Sequence, residues 1–447
     1  MVSPRRMTAW DNVRAALEER IGERQLIWLG IRGTDAQSLF AFPQFKQAHS
    51  LTCPLEAVSL SNESCLELIS NRRVDLDNYL LYRDRSRAAE AFVRGLFSAI
   101  REPCVVIPYR STSTFTALRF VHRGIVEYLG LFDETQGQFE HKPWVESELR
   151  AMGVRTLPWS YYTDLDDRAI INALRTGPIV LRRTRSAGGS GLRLIRSVAE
   201  LRKWPRPEPG DYVCSAPFLE PTIPLNVGAC VFPKGEITLH GPSVQLIGIA
   251  SCVDRSLGYC GNDFAAVRNI GQERLDELES MVRTIGEWLW HRGYVGAFGV
   301  DAVIYQDRVL LAEVNPRFQG SSALSARLDR EAGRSDIFMD HIAAFMGLPA
   351  TPRESLTRIA ETQPRMAQCV LHNIRKSQLR IGFRSSTFNG HWPQVVCAPV
   401  PPVAVDPGGA VCRLVMQGPV TIDGFSLTDH AVRVVDSMRA AIGSKGG

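Results

Sequence analysis

Between residues 299 and 322 two carboxylates and an amide stand inside an apolar hairpin, and that conflict limits what this chain can be. The runs Gly299–Tyr305 and Arg308–Asn315 read as two strands, and Gln306-Asp307 supplies the turn between them. Glu313 and Asn315 are two apart, so on a strand they share a face, and the turn brings Asp301 beside them. Around them lie Val300, Val303, Leu310, Leu311 and Val314, where such groups are costly to bury without a cation. Two carboxylates and an amide oxygen are hard ligands of the kind Mg²⁺ takes while keeping waters and substrate phosphates. The alternative is a buried carboxylate paired with an arginine or capping a loop. Arg317 follows at the same mouth. Its planar fork suits a carboxylate or the charge growing on a transferring phosphoryl group, or else a salt bridge to Glu313 or Asp301.

Upstream, Arg185-Ser186-Ala187-Gly188-Gly189-Ser190-Gly191 lies between predicted strands Ile179 to Arg182 and Leu192 to Ile195. Glycines let backbone N–H groups approach a phosphate closely, so the loop reads as a flap over a nucleotide or as a plain hairpin turn. It is not a P-loop, because no Gly-Lys-Ser/Thr closes it, and it is not G-x-G-x-x-G. Of the two cations ending the first strand, alternation turns one inward; Arg182 is the candidate phosphate ligand and Arg183 the surface residue.

The 447 residues exceed one ordinary core and predict two to four domains. Alternating helix-like and strand-like runs, beginning with Gln25 to Ile31 and Cys104 to Pro108, predict an N-terminal α/β domain with a parallel sheet. An amphipathic helix is expected from Asp11 to Glu23, another from Lys142-Pro143-Trp144 to Gly153, and a long one from Gln272 to His291. The last carries Leu275, Leu278, Val282, Ile285 and Leu289 inward. The segment Gly258 to Phe264 reads as an ordinary turn or a substrate-side loop. The Gly30/Gly33 turn is an incomplete dinucleotide fingerprint. A net charge of +5, scattered along the chain, suits an anionic small substrate and gives little support for nucleic acid. Ten cysteines without a C-x-x-C pair or zinc spacing read as reduced thiols. Neither a signal core nor a run of ~18 apolar residues is seen, so a cytoplasmic location without membrane contact is expected.

In order and spacing, Lys142, Arg182, the Gly188–Gly191 loop, Asp301 and the run Glu313-Val314-Asn315-Pro316-Arg317-Phe318 resemble the ATP-grasp superfamily. The resemblance covers about Phe139 to Gly347, and the preceding region looks like that superfamily's pre-ATP-grasp domain. It implies an α/β and α+β chain: a pre-ATP-grasp domain over 1–138, and an ATP-grasp domain over 139–348 with a flap subdomain at about 157–221 and a metal-binding subdomain at about 225–348. A small β-rich α+β C-terminal domain over 349–447 completes it. By residue match, Lys142 and Arg182 would contact nucleotide phosphates, with Gly188, Gly189, Ser190 and Gly191 closing over them. Phe218 and Leu219 would meet the adenine, and Asn226 would lie near ribose and phosphates. Asp301, Glu313 and Asn315 would hold Mg²⁺ or Mn²⁺, and Arg317 would face the carboxylate or acyl phosphate as the catalytic residue.

Two departures stand out: arginine replaces the usual lysine before the glycine loop, and Ser215-Ala216-Pro217-Phe218-Leu219 lacks the acidic residue often found in the hinge. Gly299 stands where D-alanine–D-alanine ligases carry an arginine, so the chain looks more similar to microbial amino-acid and peptide ligases of specialised metabolism. The function this implies is an ADP-forming carboxylate–amine ligase acting through an acyl phosphate on small carboxylates and amines, amino acids or peptides, with a homo-oligomer compatible. Carboxylation through carboxyphosphate is the alternative within the superfamily, and a non-catalytic nucleotide-binding protein the alternative outside it. No histidine pairs into a metal site or triad.

Overall fold

The computed structural model describes residues 7–55, 60–73, 86–183, 191–207, 212–352, 354–382 and 392–443. The first helix spans Ala9–Ile21 and begins two residues before the predicted start, because the Thr8 hydroxyl and the Asp11 carboxylate close a reciprocal capping box. It leads into β1 (Gln25–Arg32), β2 (Phe45–Thr52) and β3 (Asn62–Cys65). β4 (Arg72–Arg73) leaves this layer, and β5 (Cys104–Pro108) and β6 (Val126–Tyr128) return to it. The sheet is parallel throughout, in the order β3-β2-β1-β5-β6. Strands buried on both faces need continuous apolar runs, which Gln25–Arg32 and Cys104–Pro108 supply. Strand order reverses between β1 and β5, so the carboxyl ends of these two strands open onto a crevice.

A second, antiparallel sheet holds β7 (Ser160–Tyr162), β8 (Ile179–Arg183), β9 (Leu192–Ile195) and β10 (Val213–Pro217) in the order β7-β10-β8-β9. Its own small core joins Leu165, Ile170, Ile179, Leu181, Ile195, Leu201 and Val213.

The third sheet is the largest. It contains β11 (Ile223–Val231), β12 (Ile237–Leu239), β13 (Ser243–Ile247), β14 (Tyr259–Asp263), β15 (Gly296–Tyr305), β16 (Arg308–Asn315), β17 (Met366–His372), β18 (Gln394–Val396) and β20 (Ala410–Gln417). The main path is β16-β15-β11-β13-β14-β17-β20-β18, with β12 on β11, while β19 (Ala404–Val405) pairs with β4. All five predicted inward residues of the helix Gln272–His291 are buried; Leu278, Val282, Ile285 and Leu289 pack on the sheet, and Leu275 packs against Val267 and Ala360. Two features differ from the sequence reading. Gly258 to Phe264, read as a turn or loop, contains β14, because β13 and β17 bond to it from both sides and outweigh its glycines. The sheet also runs unbroken across the boundary drawn at 348/349, since β17 and β20 extend it beyond β14.

The N-terminal layer and the central sheet meet in one apolar cluster. Phe318 stacks on Phe338 with ring centres 4.6 Å apart and lies 5.9 Å from Trp28 of β1. No helix among the described residues is long and apolar enough to cross a membrane.

Candidate active site

The β15–β16 hairpin turns at Gln306 and Asp307, whose φ angles of 46° and 57° give the left-handed pair that a tight two-residue hairpin requires. Its register sets Asp301 opposite Glu313 and Gly299 opposite Asn315, with an irregularity just after Asp301. The structure thus brings together the three residues read from the sequence as metal ligands. Asn226 on the neighbouring strand β11 is paired with Asp301.

Asp301 sits in a ring of amides. Its Oδ1 accepts from Asn226 Nδ2 and Gln245 Nε2, each at 2.7 Å, and its Oδ2 from Asn315 Nδ2 at 2.9 Å. Asn226 is held in turn by Gln319 Oε1, 3.0 Å from its Nδ2, and by the Ser321 hydroxyl, which donates to its Oδ1 at 2.8 Å. Burial, reinforced by the facing charge of Glu313, pushes the Asp301 carboxyl up to about 6. Glu313 moves the other way. Burial raises it, but Lys142, whose Nζ lies 2.9 Å from Oε1, together with Arg182 and Arg317, outweighs burial and holds it below its ordinary range.

Lys142 opens the helix Lys142–Ala151, with Pro143 in its first turn and the His141 side chain accepting from the Trp144 N–H. One helical turn later, Glu146 faces the same way. It grips Arg182 with both oxygens, Nη1–Oε1 at 2.7 Å and Nη2–Oε2 at 2.9 Å. The Arg182 guanidinium also lies over the Trp159 ring, 4.0 Å from its centre. As alternation requires, Arg182 is buried and Arg183 exposed. Burial opposes the Arg182 charge, but Glu146 more than restores it, so its pKa ends raised.

Arg317 makes neither of the salt bridges considered from sequence: among the described residues it forms no ion pair. Its Nη2 donates to Asn315 Oδ1 at 3.1 Å and its Nη1 to the Phe318 carbonyl at 3.2 Å. Phe318, locked in the cluster with Trp28, fixes the loop from behind.

One cavity of about 370 Å³ is lined by Arg182, Phe218, Leu219, Asn226, Asp301, Glu313, Asn315 and Arg317. Phe218 and Leu219 follow the end of β10 at Pro217. Lys142 reaches this group through Glu313. Gly188, Gly189 and Ser190 lie outside the described residues; Gly191 is described, and its carbonyl accepts from the Arg183 N–H at 3.1 Å.

Several lining residues were not singled out from sequence. Arg32 and Tyr109 stand at or just past the carboxyl ends of β1 and β5, where strand order reverses, and Arg32 is closed onto Asp35 with Nη2–Oδ2 at 2.7 Å. Two strong strands each followed by a polar residue was the available signal. Gln319 lies within the quoted motif, and Glu146 is four residues from Lys142 on one helix. Gln245 and Arg413 are placed by sheet pairing alone.

No family model matches the chain. Over 176 residues it is 26% identical to the carbamoyl phosphate synthase large chain of Helicobacter pylori, covering 36% of this chain and 15% of that protein. Over 235 residues it is 24% identical to the formate-dependent phosphoribosylglycinamide formyltransferase of a Synechococcus species, covering 51% of this chain and 55% of the relative. The chain therefore spans little more than half the length of one of these relatives and a small part of the other. Among solved structures it resembles the biotin carboxylase domain of Hydrogenobacter thermophilus 2-oxoglutarate carboxylase, with TM-score 0.56, 14% identity, and 95% of this chain and 90% of that one covered. It also resembles N5-carboxyaminoimidazole ribonucleotide synthetase from Thermotoga maritima, with TM-score 0.54, 15% identity, and coverage of 94% and 98%. The fold of this chain is that of the ATP-grasp superfamily, to which these relatives belong.

Proposed function

We propose that the protein is an ADP-forming ligase that activates a carboxylate as an acyl phosphate and joins it to an amine. The observation that carries this reading is the convergence of Asp301, Glu313, Asn315 and Arg317 on one cavity. Asp301 and Glu313 face each other across the hairpin, and their mutual repulsion in a buried setting is what a divalent cation relieves. The donor set of two carboxylates and an amide fits Mg²⁺, or Mn²⁺, and such an ion supplies charge neutralisation on the β- and γ-phosphates when bound. Lys142, held at Glu313, and Arg182 would meet the phosphates, and the apolar Phe218 and Leu219 suit the adenine.

In this scheme a carboxylate oxygen of the donor bonds to the γ-phosphorus as the bond from phosphorus to the ADP oxygen breaks. The amine nitrogen then bonds to the acyl carbon, the carbon–oxygen bond to phosphate breaks, and the amine proton leaves with the phosphate. Arg317, with two donors on neutral oxygens only, offsets the charge that grows on the transferring group. Formation of a carbon–nitrogen bond is supported by two of the similar proteins, whose names describe a formyl group placed on a glycinamide and a carboxyl group at N5 of an aminoimidazole. Amino acids or peptides are the proposed substrates.

A screen of amino acids and small carboxylates, singly and in pairs, with Mg-ATP tests the reading; ADP and phosphate are expected. Stoichiometric AMP would end it. The near full-length likeness to carboxylases favours a second reading, carboxylation through carboxyphosphate. ADP release that depends strictly on bicarbonate would select it.

A further inference from the structure

Of the five arginines that line the cavity, Arg32, Arg182, Arg317 and Arg413 differ in what answers their charge. Arg32 is closed onto Asp35 and Arg182 onto Glu146. Arg317 and Arg413 form no ion pair among the described residues. Arg317 belongs to the donor side of the proposed reaction. Arg413 has no role there, yet its position is as carefully built.

Arg413 lies on β20, between β17 and β18, and is only 7% exposed. Its Nη1 donates to the Gly320 carbonyl at 2.8 Å and, at 3.4 Å, to Gln368 Oε1. Both are neutral acceptors, and Nε and Nη2 donate to no protein oxygen among the described residues. At the cavity wall those spare donors are open to an anion. Gln368 also donates to the Gly320 carbonyl at 3.0 Å, so Arg413 is tied to the same loop that displays Arg317 three residues earlier. Val370 is its partner on β17, and the cavity wall adds the apolar Leu257 and Phe425 along with Arg255, Tyr259 and His372.

The geometry points to Arg413 as the residue that binds the acceptor substrate, by gripping a free carboxylate on the amine. This rests on the ligase reading and adds what the acceptor must carry. One planar fork matches one carboxylate, which takes two parallel N–H bonds from it. The apolar part of that wall suits a side chain. The acceptor is therefore a free amino acid, or a peptide presenting its C-terminal carboxylate here, with the amine directed toward the acyl group held near Arg317. A carboxamide or a decarboxylated amine offers this fork no anion, and a phosphate-bearing amine is the rival that the test separates.

The test uses the full chain saturated with Mg-ADP and follows melting temperature across a panel of L-amino acids, their C-terminal amides and O-phosphoethanolamine. At least one amino acid should raise the melting temperature, and its amide should bind at least tenfold more weakly. Arg413→Gln should remove that discrimination while keeping the Mg-ADP shift, which shows that fold and nucleotide site survive. Arg413→Lys, which keeps the charge and loses the fork, should bind the amino acid with intermediate affinity; it carries the test if the glutamine variant does not fold. Amino acids that bind Arg413→Gln as well as wild type would overturn the assignment. So would a response to O-phosphoethanolamine alone, or to no amino acid at all. A wild-type chain without any Mg-ADP shift would instead overturn the ligase reading beneath it.

Discussion

Arg182 and Arg317 line the same cavity, yet the protein treats them in opposite ways. Arg182 is matched before any ligand arrives, clasped by both oxygens of Glu146 and covered by Trp159. Arg317 touches only neutral oxygens. The flap side thus resembles a structural joint whose charge is cancelled internally, and the hairpin side resembles a binding surface whose charge waits for a ligand. The same contrast appears between Asp301, surrounded by amides, and Glu313, which is neutralised by Lys142. On the proposed reading a cation held by Glu313 would free Lys142 for a phosphate, and metal and nucleotide should then bind together.

Glu313→Gln tests that coupling with the largest expected effect. Turnover should fall by ~10³-fold or more, beyond the upper range for losing one charge contact in a transition state. The melting temperature should stay near wild type while the Mg-ATP shift disappears. An unfolded variant would show that Glu313 serves packing instead.

On the flap side the cost should appear in stability. Glu146→Gln leaves Arg182 buried without its partner, and unfolding in urea should report a loss of ~3–5 kcal/mol. Equal stability would mean that Trp159 and solvent suffice for Arg182, and the contrast would weaken.

Arg317→Ala should behave in reverse, with kcat lower by ~10²–10³, equivalent to ~2.7–4 kcal/mol, and little change in stability or ATP affinity. A destabilised Arg317→Ala protein with near-normal kcat would remove its catalytic role.

The smallest effect concerns acid. His341 accepts from the Ala297 N–H through Nδ1 and has Nε2 2.9 Å from the Leu129 carbonyl, so only the neutral ring with a proton on Nε2 satisfies both. Burial lowers its pKa to about 4, and burial, helped by Arg255, does the same for His372. The unfolded chain takes up these protons near pH 6.5 and the folded chain resists them. Stability should therefore be full above 6.5 and fall as pH drops toward 4. Melting curves at pH 7 and pH 5 without Mg-ATP should show this, partly offset by Asp301, whose raised carboxyl takes up a proton in the folded chain over the same interval.

What could be read from the sequence was local. The hairpin depends on a two-residue turn and on alternation, and Asp301, Glu313, Asn315 and Arg317 were legible because their geometry follows from spacing along two adjacent strands. The long helix was legible from its period. The roles of Arg413 and Gln245 were not, because each is set beside the site by strands distant in sequence. β14 was missed for the same reason: its glycines argue for a turn, and only the neighbours on either side make it a strand. Arg182 was placed inward correctly by alternation, but its partner on another element could not be foreseen.

The unbroken central sheet also bears on how the chain is born. β14 ends at Asp263 and its neighbour β17 begins at Met366, so a growing polypeptide carries one edge of its central sheet bare until that distant strand has been made. Bare edges invite pairing with other chains, and non-local partners are slow to find. The hairpin can form early, but the sheet that steadies it closes only after β17 and β20 arrive. Until then that edge is open to pairing, so finishing the sheet and finishing the candidate site are one event.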